Sequence, residues 1–241
     1  MMRTANPALN DNAFSNVGPV DSTHAMTIQG TVNKTMVLLL FVLMSASWSW
    51  GNPEAGAVMI WPAAIAGFVL ALITMFKKAW VPITAPLYAL AEGVLLGAIS
   101  VFTERAYPGI VGQAVGLTFT TLFALLMVYK SGLIKVTDNF RLGIAAATGG
   151  IALFYFVSMI LGFFHIQIPA IYGSGVLGIG FSAFVVAIAA LNLVLDFDFI
   201  ERGAERGAPK YMEWYGAFGL IVTLIWLYLE ILRLLAKMRE R

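Results

Sequence analysis

Residues 142–164, LGIAAATGGIALFYFVSMILGFF, form a stretch of 23 residues without a charged side chain. As an α-helix this stretch is long enough to cross the hydrocarbon core of a bilayer, which is roughly 30 Å thick. A charged side chain at the centre of a membrane helix costs about 2.5 to 3.5 kcal/mol on insertion scales, so a long charge-free run is a clear sign of a membrane span. The stretch therefore predicts a transmembrane helix.

The composition of the whole chain favours the same class of protein. Of the 241 residues, 60% are hydrophobic and only 12% are charged, which is about half the charged fraction of a soluble domain. The net charge of +2 gives no electrostatic footprint for a nucleic acid. Because the chain has no cysteine, disulfides, thiolate metal sites and thiol catalysis are excluded. These features predict an integral membrane protein whose partner is the lipid bilayer.

Six further hydrophobic segments accompany this stretch. The seven predicted spans are residues 35–50, 55–76, 84–103, 107–129, 142–164, 166–195 and 214–236. The first span is short enough to require a thinned bilayer. The sixth is so long that Pro169 and Gly173-Ser174-Gly175 are expected in a turn before the helix. Small residues in the fifth and sixth spans, GIAAATGG and GIGFSAF, are expected to let the helices pack closely.

These spans predict an all-α integral membrane protein with seven transmembrane helices. Residues 1–34 are rich in Asn, Ser, Thr and Pro and are predicted to form a flexible polar arm, with residues 35–241 as the seven-helix membrane domain. With the N-terminus inside, ten of the 15 Lys and Arg residues lie in cytoplasmic regions, and the outside loops hold only Arg105. This distribution predicts a cytoplasmic N-terminus.

The last predicted span disagrees with this charge distribution. Seven crossings place its basic residues outside, namely Arg233, Lys237, Arg239 and Arg241. Glu230 also interrupts the span near its end. A re-entrant or amphipathic segment is therefore an alternative for residues 214–236.

Four acidic residues lie in or beside the predicted spans. They are Glu92, Asp196, Asp198 and Glu230, and ionisable residues at membrane depth usually mark functional sites. Glu92 lies about 12 Å from the start of its helix, so we expect it to face the bundle interior. The favoured interpretation of Asp198 is an acid at the water interface. Glu230 is spaced to form an ion pair with Arg233 on the same helix surface.

Three motifs resemble the Bax inhibitor-1 family. Residues 192–203, NLVLDFDFIERG, are similar to the end of that family's sixth helix, which closes on the pattern FDTQ-x-I. Asp196 takes the place of its Asp, and Asp198 takes the place of its Gln. Residues 217–235, AFGLIVTLIWLYLEILRLL, resemble the last helix of the family, and Glu92-Gly93 with Leu96-Gly97 resembles its EG-x-x-LG pattern.

The resemblance implies a fold in which the last helix is enclosed by the other six. In prokaryotic relatives it also implies a pH-sensitive calcium leak, with a pair of Asp residues on the sixth and seventh helices as the sensor. Asp196 retains one member of this pair, whereas Thr223 stands in the place of the second. Glu230 lies two helical turns beyond Thr223, within about 20° of the same face, and is a candidate replacement.

The same resemblance defines the expected site and location. We expect Asp196, Glu230, Glu92, Asp198 and Thr223 to form the ion pathway or pH sensor, with a transient calcium contact at Asp196. Calcium is expected as the permeant ion, and no cofactor is expected. The expected location is a bacterial inner membrane.

Enzymatic functions find little support in the sequence. The chain has no G-x-S-x-G elbow and no GxGD motif. Its two histidines are His24 in the arm and His165 at a helix end, where a catalytic triad or a metal site is not expected. The alternative to a channel is a non-conducting regulator of a membrane-bound protease or of a stress response, which would engage the arm of residues 1–34.

Overall fold

A computed structural model describes residues 25–164 and 173–240 of the chain. Seven α-helices make up nearly all of these residues. They are α1 Ile28–Gly51, α2 Pro53–Phe76, α3 Val81–Ala106, α4 Ile110–Lys130, α5 Asp138–Phe163, α6 Val176–Glu205 and α7 Met212–Arg239. Each is long and apolar enough to cross a membrane. The prediction of an all-α membrane protein with seven spans is therefore confirmed.

The first helix begins earlier than the sequence predicts. Thr27 caps α1 by accepting a hydrogen bond from the amide of Gly30, so the helix starts at Ile28 instead of residue 35. Residues 28–34, which were predicted to belong to the arm, are therefore helical. With 24 residues, α1 needs no thinned bilayer. Residues 1–24, including His24, lie outside the described residues.

The sixth helix begins where the sequence predicts and ends later. Residues 173–175 precede α6, whereas Pro169 and His165 lie outside the described residues. The helix continues past residue 195, through both aspartates, to Glu205. The charged residues did not end the helix, because charge ends a hydrophobic run without breaking the backbone hydrogen bonds.

The seventh helix is continuous over 28 residues. This length exceeds the roughly 20 residues that a span needs, so it favours a full crossing over a re-entrant segment. Of the seven candidate spans, α7 has the largest buried share. Its enclosure by the other six helices stays a prediction.

The described residues form two compact units, and α6 and α7 contribute to both. One unit, called the α4–α5 unit here, comprises residues 107–164, 173–195 and 223–240; the other, the α1–α3 unit, comprises residues 25–106 and 196–222. In the α4–α5 unit, a buried cluster joins α5 to α6 through Ile144, Ile151, Val185, Ile188 and Leu195. In the α1–α3 unit, α3 packs against both α1 and α2.

Close packing in the α1–α3 unit depends on glycines of α3. A Cβ atom at Gly93 would collide with the backbone of Val42, and one at Gly97 would collide with the backbone of Ala46. The contrast is with four glycines of α5 and α6. A Cβ atom on any of them would meet no atom of the described residues within 4 Å; they are Gly143, Gly149, Gly150 and Gly180. These four glycines of α5 and α6 are exposed, so the expectation that they serve close helix packing is wrong.

Candidate functional site

Glu230 is the centre of a polar cluster in the α4–α5 unit. Its side chain is almost completely buried on α7. The Tyr155 hydroxyl of α5 donates hydrogen bonds of 3.1 Å to both carboxylate oxygens, and so does the Arg233 guanidinium. Arg233 also donates a hydrogen bond of 2.6 Å to the Tyr155 oxygen. The predicted ion pair between Glu230 and Arg233 is therefore present, with Tyr155 as a partner that the sequence did not indicate.

A second cation connects α7 with α6 in the same unit. Lys237 is buried, and its Nζ donates hydrogen bonds to the Gly178 carbonyl at 3.1 Å and to the Ser182 hydroxyl at 2.9 Å. Charged side chains of α7 thus have polar partners on both α5 and α6. Such partners are needed because polar groups at membrane depth find no water in the hydrocarbon.

Glu92 lies where α3 packs against α2 in the α1–α3 unit. Its carboxylate is hydrogen-bonded to Tyr88 one turn earlier. The carboxylate also fits against Gly67 of α2, where a Cβ atom would lie 2.6 Å from Oε1. Glu92 therefore contacts protein, in agreement with the expected inward orientation.

Asp196 and Asp198 lie on α6 in the α1–α3 unit. Asp196 is 0% exposed and Asp198 is 8% exposed. Asp198 forms an ion pair with Arg202 one turn later, and the Arg202 Nε donates to the Asp198 carbonyl at 3.2 Å. Asp198 is therefore buried and paired within its own helix, whereas its position at the water interface stays a prediction. Because α6 continues to Glu205, helix packing buries this side chain.

The predicted site residues are divided between the two units. Thr223, which is 3% exposed, belongs with Glu230 to the α4–α5 unit, whereas Glu92 and the two aspartates belong to the α1–α3 unit. No three His, Asp or Glu side chains gather as a metal site within residues 25–164 and 173–240. A calcium contact at Asp196 would therefore also draw on carbonyl and water oxygens, which are ordinary calcium ligands.

One buried acid was missed by the sequence analysis. Glu213 is 0% exposed in the first turn of α7, where it contacts Thr27 and Lys34 of α1. The predicted span began at residue 214, which left Glu213 in a loop. Its position at a helix N-terminus, where the helix dipole favours a negative charge, was the available signal.

Comparison with known proteins adds a family match. The family model described as Bax inhibitor 1 like matches residues 6–240, which include all seven helices. No curated protein and no solved structure matches the chain significantly.

Proposed function

The chain belongs to the Bax inhibitor 1 like family, and from this premise we propose that it forms a pH-sensitive, calcium-permeable leak channel gated by carboxylates in the membrane. The observation that carries the proposal is the burial of Asp196 and Glu230, at 0% and 2% exposure, on helices able to span a bilayer. Ionisable groups in such positions are rare and usually functional.

The chemistry of these carboxylates suits both parts of the proposal. Calcium is a hard cation that takes six to eight oxygen ligands, and carboxylates are among them. Protonation removes the charge of a carboxylate and so weakens its charge-assisted hydrogen bonds. At Glu230 this would loosen the contacts with Tyr155 of α5 and Arg233, so that the acid could act as a gate. Asp196 is proposed as the sensor, because it retains the Asp of the family pattern.

The proposal also includes the role of calcium, the absence of catalysis and the location of the protein. Calcium passes as the permeant ion and is not a resident cofactor, and the protein carries out no catalysis. The protein resides in a bacterial inner membrane with its N-terminus in the cytoplasm.

Calcium flux into sealed liposomes that contain only this protein tests the proposal. We expect flux that changes with pH, and we expect Asp196→Asn to flatten this pH dependence while leaving the protein folded, because Asn keeps the shape of the side chain but does not titrate. Asp138→Asn is the matched control, since Asp138 begins α5 with a side chain that is 91% exposed. It should keep the pH response.

Two outcomes would contradict the proposal. An unchanged pH profile in Asp196→Asn would reject Asp196 as the sensor. An absence of calcium flux at every pH would reject the channel and favour the regulator of a membrane-bound protease.

A further inference from the structure

A single buried carboxylate joins the start of α7 to the start of α1. Oε1 of Glu213 accepts hydrogen bonds from the Thr27 amide at 3.0 Å and from the Thr27 hydroxyl at 2.9 Å. Oε2 forms an ion pair with Lys34. Gly30 permits this approach, because a Cβ atom there would collide with the carboxylate. The first turns of α1 thus form a socket for the Glu213 side chain.

A main-chain contact lies beside this socket. The Met26 amide donates a hydrogen bond of 2.6 Å to the Ala208 carbonyl, and Ala25 forms an antiparallel bridge with Pro209. The loop between α6 and α7 turns at Gly207, whose φ of 63° lies in the left-handed region that glycine adopts without strain. The chain that leads into α1 is therefore joined to this loop through both backbone and side chain.

The socket holds a buried charge whose cationic partners reach solvent. Glu213 is completely buried. Among the described residues, its two ion-pair partners are Lys34, with a side chain that is 20% exposed, and Lys210, at 3.5 Å from Oε1 with a side chain that is 56% exposed. Removing one partner from a buried ion pair leaves an uncompensated charge, which is strongly unfavourable. A partly broken contact is therefore disfavoured. We therefore expect the contact to be either closed or open far enough for water to reach the carboxylate.

Packing extends from the socket to the acidic end of α6. A Cβ atom at Gly216 of α7 would lie 3.0 Å from Ile200 of α6 and 3.2 Å from Thr31 of α1. The rings of Phe199 and Tyr215 lie 6.3 Å apart. Phe199 and Ile200 directly follow Asp198 in α6. A displacement of the start of α1 would therefore disturb the packing of α6 next to its two aspartates.

We propose that Thr27, Gly30, Lys34 and Glu213, named the Glu213 latch here, form a regulatory device. The closed latch fastens the chain that precedes α1 to the α6–α7 loop, and its opening loosens the end of α6 that carries Asp196 and Asp198. Glu213 acts as a positioning residue in this device. The inference rests on the proposed function only in that a loosened α6 would alter the channel.

The absence of cysteine allows a direct test of the closed state. In a variant with Ala25→Cys and Pro209→Cys, the closed latch should give a disulfide rapidly upon oxidation. Adding Glu213→Gln should slow this reaction by at least about tenfold. Glu54→Gln is the matched control, because Glu54 is an exposed acid in the first turn of α2, and it should leave the rate unchanged. Equal rates with and without Glu213→Gln would overturn the latch.

Amide hydrogen exchange tests the connection to α6. We expect Glu213→Gln to accelerate exchange in residues 196–206, and we expect the disulfide between positions 25 and 209 to restore slow exchange in the same variant. If Glu213→Gln does not fold, Lys34→Met takes its place in both experiments, because it removes the cation of the ion pair at a side chain that is partly exposed. Unchanged exchange in residues 196–206 would overturn the regulatory role. Neither measurement depends on calcium flux, so failure of the channel proposal is detected separately.

Discussion

At the scale of single residues, Glu230 is the acid whose role is most open to test. If it replaces the second aspartate of the family pattern, Glu230→Gln should flatten the pH dependence of calcium flux. Its effect should be non-additive with that of Asp196→Asn, because residues of one functional unit couple. Thr223→Asp restores the pair and should make the pH response steeper. Additive effects in the double variant would show that the two acids act separately.

Tyr155 offers a second test at this scale. Tyr155→Phe removes the hydroxyl that donates to Glu230 and accepts from Arg233. We expect a loss of about 1 kcal/mol in the free energy of unfolding, as for other hydrogen bonds between membrane helices. Unfolding in mixed micelles measures this loss. Tyr211→Phe, in the loop before α7, should cost less, and an equal loss in both variants would argue against a special contribution of Tyr155.

The sequence predicted contacts within a helix better than contacts between helices. The ion pair of Glu230 with Arg233 follows from a spacing of three residues, which brings two side chains together on any helix. Tyr155 is 75 residues away from Glu230, and its contribution depends on how α5 packs. The burial of Asp198 was not predicted for a related reason. Its burial depends on packing that the onset of charge in the sequence does not reveal.

At the scale of helices, two G-x-x-x-G motifs look equivalent in the sequence but differ in structure. Gly93 and Gly97 of α3 lie against the backbone of α1, whereas a Cβ atom at Gly112 or Gly116 of α4 would meet nothing within 4 Å in the described chain. We expect Gly93→Ala to lower the thermal stability clearly, since the helices must separate to admit the methyl group. Gly112→Ala should have no such effect, because alanine favours the helix. Thermal unfolding in detergent compares them, and equal effects would contradict the packing.

The existence of the helices was predictable, but their ends were less so. Hydrophobic length determines whether a segment spans the bilayer, and this criterion identified all seven helices. A helix can continue beyond the hydrocarbon wherever caps and polar contacts support its backbone. The start of α1 at Ile28 depends on Thr27, and the end of α6 at Glu205 lies beyond its apolar run. Hydropathy contains little information about such polar extensions.

At the scale of the whole molecule, the basic C-terminal residues have structural partners. Arg239 donates to the Pro108 carbonyl at 2.7 Å and to the Gln113 side chain at 3.2 Å. The Tyr107 hydroxyl donates to the Glu240 carboxylate at 2.9 Å, and this hydrogen bond raises the pKa of Tyr107. The end of the chain therefore lies on the same side of the membrane as the α3–α4 loop. In the predicted orientation, these contacts would hold basic residues on the side that the charge rule disfavours.

These contacts give the topology a sharp test. The Met26 contact with Ala208 places the start of α1 and the α6–α7 loop on one side of the membrane. Along the chain, three predicted crossings lie between the start of α1 and Pro108, and one lies between the α6–α7 loop and the C-terminus, so we expect Pro108 and the C-terminus on the opposite side. We expect reporters at the N-terminus, within residues 131–137 and at residue 206 to be cytoplasmic, because most positive residues collect in these regions. Reporters at residue 108 and after residue 240 should both be outside. An outside location for residues 131–137 would show that the orientation is the reverse of the predicted one. A cytoplasmic C-terminus together with an outside residue 108 would contradict both the contact of Arg239 with Pro108 and the seventh crossing.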